Sequence, residues 1–471
     1  MSPAEATAYI WQLGGGALSA LDGVALRGQD PALPSTFAVG TMAQATIAAS
    51  ALAAAEFWNL RTRRRQLAAV DMRHAAAEFR SEHFLHVEGR ATQRIWNKVA
   101  GVYKVGDGRY VRVHANMPHH RERTLRFLGA EYDRASVAAK LMDWSGEALE
   151  TAAAENGMVI TMMRTPEEWR AHPHGMAVGA LPLFEIVKIG DAPPRKRLPG
   201  DRPLSDIRVL DLTRVIAGPV CGRTLAAHGA DVLSVTGPGI PDIETLIMDG
   251  GRGKLRAQID LASEDGRASL RALARDADVF VQGYRPGAIA AKGFAPEQVA
   301  ELSPGIVCVS LSAWGHSGPW AHRRGFDSLV QNANGLNDAE ARAAGLAEGP
   351  KELPCQALDH GSGFLMATGA MMALKRQAEE GGSWLVRVSL AQTGEWLWKL
   401  GRLSNECLAI PGLEPERIRD LMEQSQSGVV PMTAVVHAGQ LSDTPPAFVR
   451  PAMPLGSHEA RWPLAASAVA A

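Results

Sequence analysis

Arg208 to Val235 reads RVLDLTRVIAGPVCGRTLAAHGADVLSV, and the order of patterns in this stretch decides the fold. An apolar strand pattern beginning at Val209 gives way to a loop through Gly218. Cys221 to Gly229 then follows a helical pattern closed by glycine, and Ala230 to Val235 returns as a second β-branched run. Strand, helix and strand in close succession make a βαβ unit, which belongs to a parallel sheet. Downstream the alternation continues. Ser263–Ala277 is an amphipathic helix, Asp278–Tyr284 a strand, Ala295–Ser303 a helix and Gly305–Gly315 a strand. The predicted class is α/β, a Rossmann-like doubly wound parallel sheet.

Upstream lies a second, smaller α/β domain: strand Gly108–Asn116, helix Asp143–Gly157 and strand Met158–Met163. GDAPPRKRLPGDRP, Gly190 to Pro203, has the proline and charge of a linker. Leu52–Phe79 repeats the plan of Met371–Leu397, an apolar helix, a polar turn, a short strand and a second helix. Setting Val70 on Val388 aligns the two copies. The resulting division is 1–99 as a helix-strand segment, 100–199 as small domain and linker, 200–402 as the Rossmann-like domain, and 403–471 as an extended tail.

The 471 residues are 46% hydrophobic and 21% charged, enough for several packed cores, and the formal net charge of -1 offers no field for nucleic acid. Cys221, Cys308, Cys355 and Cys407 are scattered without a CxxC pair, which suits a reducing cytoplasm. The N-terminus has no secretory pattern, and Ala38–Phe57 carries too many polar residues for a membrane span, so it reads as a buried helix. GGRGKLR at 250–256 fails as a phosphate loop, because Met248 and Leu255 stand at its required positions. His119–His120 and the pair His172 and His174 lack carboxylate or cysteine companions at regular spacing; no metal site is expected, and adjacent histidines on a polar loop are expected to be solvated. There is no GxSxG elbow and no GxGxxG after Val209.

Pro203–Leu233, Lys254–Leu261, Asp278–Phe294, Gly305–Gly335 and Ala357–Gln377, taken in order, resemble the successive blocks of the class III coenzyme A transferases, a family that includes the α-methylacyl-CoA racemases. The resemblance implies a catalytic aspartate at the start of a long helix, where Asp359 stands with Leu358 in place of the family's glycine. A helix N-terminus favours an ionised carboxylate, and Gly361 and Gly363 would let a thioester come close, but position alone reads better as a plain N-cap; it is the family resemblance that favours the catalytic role. The implied chemistry is covalent: Asp359 attacks an acyl-CoA thioester, passing through a mixed anhydride and an aspartyl-CoA thioester, with helix-start amides steadying the oxyanions.

For coenzyme A, the resemblance implies contacts from Arg214, Val215, Ile216 and Ala217 after the first strand, and from Gly283, Tyr284 and Ala288 after a later one. It adds Ile259, Leu390 and Arg324. Gly237 and Ala291 depart from basic residues of the family, with Lys254, Arg285 or Lys292 as candidate replacements. The racemase branch places histidine where this chain has Phe326, in Gly325-Phe326-Asp327, and phenylalanine cannot exchange a proton. His360, beside Asp359, is expected to point elsewhere.

The first 200 residues resemble the later part of the family's chain, so the order is that of a rearranged or partly deleted tandem. Thr41, after Gly40, takes the place of Asp359 in the first copy. The sequence reading is therefore a CoA-transferase with acyl-CoA and a small carboxylic acid as substrates and no permanently bound cofactor, metal, nucleic acid or membrane. A homodimer is expected, interlocked or replaced by contacts within one chain. The alternatives are an acyl-CoA racemase or isomerase, and a non-catalytic CoA-ester-binding subunit.

Overall fold

The computed structural model describes residues 1–88, 96–428 and 430–463. Its main sheet has seven strands in the spatial order Lys254–Gln258, Asp231–Thr236, Arg208–Leu212, Val279–Gln282, Val307–Ser312, Ser383–Ser389 and Phe184–Gly190. The first six run parallel, and the seventh pairs antiparallel to Ser383–Ser389. The chain winds outward from Arg208–Leu212 through two strands on one side, then returns to build the other side. That reversal puts a topological switch point between Arg208–Leu212 and Val279–Gln282, where the strand ends leave a crevice. The doubly wound α/β reading holds. Phe184–Gly190 lies within the stretch read as small domain and linker, yet it completes the main sheet.

The linker that follows is held down: the buried Arg61 donates to the carbonyls of Leu198, Pro203 and Ser205. The smaller domain is a three-stranded antiparallel sheet, Gly101–Lys104, Tyr110–Val113 and Ile160–Met162, with helices Pro118–Leu128, Arg134–Leu141 and Gly146–Glu155. It has its own apolar core around Val105, Val111, Leu141 and Leu149.

Two 24-residue helices, Val39–Thr62 and Ala357–Glu380, pack against each other through the largest core. Both are buried almost all round, which explains a run as apolar as Ala38–Phe57 without a membrane. Among the described residues no helix is long and apolar enough to cross one. Each long helix leads into a short strand with a parallel neighbour. Ala68–Asp71 lies beside Val24–Arg27 just as Ser383–Ser389 lies beside Val307–Ser312. Each strand also has an antiparallel partner, Gln440–Leu441 in the first case and Phe184–Gly190 in the second.

Residues 403–428 and 430–463 are less extended than the expected tail. They form a hairpin, Met422–Ser427 with Val430–Val435, before running along the sheet edge. There His458 exchanges hydrogen bonds with Arg256 on the outermost strand, and the Trp462 indole donates to the Leu273 carbonyl. Covering an edge strand in this way removes a template for aggregation. Residues 464–471 of the expected tail, and 89–95 of the first segment, lie outside the described residues.

Candidate active site

A cavity of about 360 Å³ opens at the carboxyl ends of the strands around the switch point. The loop after Arg208–Leu212 forms one wall. Asp211 accepts the Thr213 N–H and the Lys254 ammonium, so the loop is pinned from below. Val215 sits at φ +70°, a left-handed conformation that a β-branched residue adopts only when its surroundings impose it, at a cost of about 1–3 kcal/mol. That turn carries Arg214, Val215, Ile216 and Ala217 along the wall and into helix Ala217–Ala227.

Gly283 and Tyr284 follow the next strand on the opposite wall, with Ala288 beyond them. Leu390, at the first turn of helix Leu390–Leu400, and Arg324 close further sides. Ile259 lies outside this space, in an adjoining cavity of about 280 Å³ that shares Leu212, Tyr284 and Ala288 with the first and also contains Gly237 and Lys292.

Asp359 faces the main cavity with 8% of its surface, from the third position of helix Ala357–Glu380. Its surroundings differ from those expected of a helix N-terminus. Oδ2 of Asp327 accepts the N–H of Leu358 at 2.8 Å and the N–H of Asp359 at 2.9 Å, so two of the free amides are already used. Burial, followed by the negative charges of Asp327 and Glu82, pushes the Asp359 carboxyl well above the ordinary carboxylate range. Burial also pushes Asp327 up to about 6, against the pull of its amide donors and Gln331. The helix start therefore does not hold Asp359 ionised, and the Leu358 and Asp359 amides are not free to stabilise an oxyanion.

The nearby glycines serve packing rather than thioester access. A Cβ on Gly363 would come within 2.5 Å of the Ala217 carbonyl, so glycine lets two helices touch. Gly361 faces Thr393 and Met42. His360 points away from the cavity as the helix geometry requires; its Nε2 meets Glu82 Oε2 at 3.0 Å, and its ring stacks on Phe79. His360 holds the Glu82 carboxyl below its usual range despite burial, so Glu82 stays charged behind the helix.

Lys254 cannot stand in for a lost phosphate ligand. It is wholly buried, with Nζ donating to Asp211 at 2.8 Å and to the Pro219 carbonyl at 2.9 Å. Lys292 Nζ reaches the Leu261 carbonyl at 3.1 Å. Arg285 lines the cavity beside Arg324.

Sequence reasoning missed the wall supplied by the smaller domain, where Met117, His119 and His120 line the cavity. His120 is only 5% exposed, in the first turn of helix Pro118–Leu128, which corrects the expectation of a solvated loop. Burial and the neighbouring charges of His119 and three arginines lower its pKa to about 3. The doublet itself was the available signal, but only the folded chain brings it to Asp359. Phe326 stacks on His114 with ring centroids 3.7 Å apart. His172 and His174 pack among Trp169, Trp314 and Trp320, where the His174 ring meets the Trp314 carbonyl.

Residues 204–426 match the family described as CoA-transferase family III. An acetyl-coenzyme A transferase of Hypoxylon pulicicidum is 32% identical over 323 residues, covering 64% of this chain and 54% of the relative. A probable fatty acyl-CoA transferase of Mycobacterium tuberculosis is 30% identical, covering 40% and 50%, and a formyl-CoA:oxalate CoA-transferase of Escherichia coli is 29% identical, covering 40% and 47%. The chain spans about half the length of the curated relatives it matches. A solved structure of the mycobacterial protein has 29% identity and a TM-score of 0.39 over 42% of this chain and 57% of that one. A CAIB/BAIF family protein from Brucella suis has 26% identity and a TM-score of 0.37 over 41% and 55%.

Proposed function

We propose that this chain, whose residues 204–426 match CoA-transferase family III, moves coenzyme A from an acyl-CoA donor to a carboxylic acid acceptor, with Asp359 as the nucleophile. One observation carries the reading: Asp359 faces the same cavity as the loop Arg214–Ala217, Gly283, Tyr284, Ala288, Arg324 and Leu390. A carboxylate at the end of a mostly apolar cavity at a switch point is placed to meet a thioester carried on a long arm.

The ionised Asp359 oxygen attacks the thioester carbonyl, and the C–S bond breaks to give a mixed anhydride and CoA thiolate. The thiolate then attacks the aspartyl carbonyl, forming aspartyl-CoA thioester and releasing the donor acid as its carboxylate. The acceptor carboxylate reverses both steps, leaving Asp359 free and the acceptor as its CoA ester. No redox partner is consumed. Partial dryness strengthens the nucleophile, and the raised carboxyl pKa means that proton loss must precede attack. Ile259 would contact the cofactor from the adjoining cavity. A homodimer, interlocked or not, and a cytoplasmic location belong to the same proposal.

The test is to incubate the full chain with a panel of acyl-CoAs, trap with hydroxylamine and map the modified peptide. Acyl-CoA-dependent modification of the Asp359 peptide, absent in Asp359→Ala, is the expected result. A thioester that binds but leaves no adduct would overturn the nucleophile assignment and favour a binding subunit. His120, an imidazole in the cavity with Asp359, gives α-proton exchange a specific footing as a second reading. Deuterium from solvent at the α-carbon of recovered acyl-CoA would support that reading over transfer.

A further inference from the structure

We infer that His120 donates its imidazole N–H to the thioester carbonyl oxygen, stabilising the oxyanion that forms as Asp359 attacks. The inference rests on the transferase reading. It supplies a donor where Asp327 already occupies the Leu358 and Asp359 amides.

The dipeptide Phe326-Asp327 touches both groups. Asp327 Oδ2 accepts the Asp359 N–H at 2.9 Å, and the Phe326 ring lies edge-on to His120, with centroids 6.0 Å apart and planes at 72°. Phe326 is clamped from its other side of the contact by His114, whose ring stacks on it at 3.7 Å and whose N–H donates to the Val159 carbonyl at 2.9 Å. The smaller domain is thereby docked on the segment that caps the Asp359 helix, with His120 and Asp359 on the walls of one cavity. The His120 backbone is fixed as well, since its N–H donates to the Met117 carbonyl at 3.0 Å.

His120 Nδ1 is buried with no hydrogen-bond partner among the described residues. A buried N–H left unpaired is costlier than an unpaired lone pair, so the neutral ring carries its hydrogen on Nε2. Among the described residues nothing accepts that N–H, which leaves it for a ligand in the cavity. Burial, then the charges of His119 and three arginines, keep the ring neutral with a pKa of about 3. A neutral imidazole is a donor that needs no counter-ion in a dry site. Other donors on the walls suit the task less well. Arg214 is committed to Asp242 and to the Pro241 carbonyl. The Ser312 hydroxyl is only half-buried and accepts the Gly315 N–H, whereas His120 is almost enclosed, and a donor is worth most where water is excluded.

As the Asp359 oxygen bonds to the thioester carbon, the carbonyl π electrons move onto oxygen, where the Nε2–H of His120 meets the developing charge. When the C–S bond breaks, those electrons re-form the C=O and sulfur leaves as the CoA thiolate. The imidazole keeps its proton throughout, so no acid or base is consumed. This role differs from α-proton exchange, in which His120 would have to take up a proton that its burial and its cationic neighbours oppose.

The test compares His120→Phe, which keeps a flat ring against Phe326 but has no donor, with His120→Gln, which keeps an N–H but cannot act as a base. With the donor identified by trapping, kcat should fall ~10²–10³-fold in His120→Phe and no more than ~10-fold in His120→Gln, while KM for acyl-CoA stays within about threefold in both. A second readout needs no turnover. In Asp359→Ala the bound acyl-CoA stays intact, and the C=O stretch of an isotope-labelled thioester, read by difference infrared spectroscopy, should lie at lower frequency than in free acyl-CoA. Adding His120→Phe should abolish that shift. Full activity in His120→Phe, equal losses in the two variants, or a carbonyl shift that survives without His120 would each overturn the assignment. A wild-type chain that binds acyl-CoA but forms no Asp359 adduct would overturn the transferase reading, and this inference with it.

Discussion

Two helix starts in this chain are built alike and do different things. Thr41 and Asp359 each stand third in a 24-residue helix, and each is held by an aspartate from outside that helix. Asp30 Oδ2 accepts the Thr41 N–H at 2.8 Å and its hydroxyl at 2.7 Å. Asp327 Oδ2 accepts the amides of Leu358 and Asp359. At Thr41 the side chain is a hydroxyl that donates to its aspartate, so the arrangement is satisfied. At Asp359 the side chain is a second carboxylate that cannot, when ionised, donate to the first. The same backbone device is thus a restful cap in one copy and an electrostatic conflict in the other. Under the proposed function, a conflict of this kind is tolerated because the second start carries the nucleophile.

The sharpest way to break the comparison is to make the second start resemble the first. Asp359→Thr should lower turnover at least ~10³-fold, as loss of a nucleophile does, while the fold persists. Initial rates with the donor identified by trapping, beside a circular dichroism spectrum, check both halves. Stability should move the other way. The folded state holds the Asp359 proton more tightly than the unfolded chain does, so this carboxyl's contribution to stability is greatest below the ordinary carboxylate pKa and is lost as pH rises through the raised one. Asp359→Thr should therefore match wild type in unfolding free energy near pH 4 and exceed it at pH 8, by ~1 kcal/mol in urea titration. A variant less stable at pH 8 would show that the carboxylates are not in conflict.

The reverse exchange is next in size. Thr41→Asp puts an unpaired carboxylate, almost fully buried, against Asp30, and should cost ~3 kcal/mol of stability in urea titration. A smaller change reads the coupling at the reactive end. Asp327→Asn keeps an oxygen for the two amides but removes the charge that, after burial, does most to raise Asp359. Because attack needs the ionised form, the acid limb of kcat/KM should shift to lower pH. An unmoved limb would assign Asp327 to architecture alone.

Much of this pairing was legible in the sequence. The repeated plan of helix, turn, strand and helix placed Thr41 opposite Asp359, because apolar periodicity and turn residues are local signals. The strand ends and the loop Arg214–Ala217 were legible for the same reason. The aspartates beneath the helices were not, since Asp30 and Asp327 act through hydrogen bonds whose geometry only the folded chain creates. Lys254 was misread because a lysine's burial against Asp211 leaves no trace in composition. His120 was visible as half of a doublet, but its approach to the cavity depends on how the smaller domain folds over the strand ends.

The smallest effect separates the two ends most cleanly. In Asp30→Asn the new amide can present its oxygen to the Thr41 N–H and hydroxyl, so the two shorter hydrogen bonds survive in neutral form. Its NH₂ group then faces the Ala32 N–H, which Oδ1 of Asp30 accepts at 3.3 Å, and that contact is lost. Weakening charge-assisted bonds to neutral ones and losing one long contact should cost ~1 kcal/mol. Turnover should not change, because Asp30 contacts only the Thr41 copy of the cap. Unaltered kcat and KM with a lowered urea midpoint would establish that the first helix start is scaffold. A fall in kcat at constant stability would instead mean that the two packed helices transmit strain between their starts, and the comparison would have to be redrawn as one coupled unit.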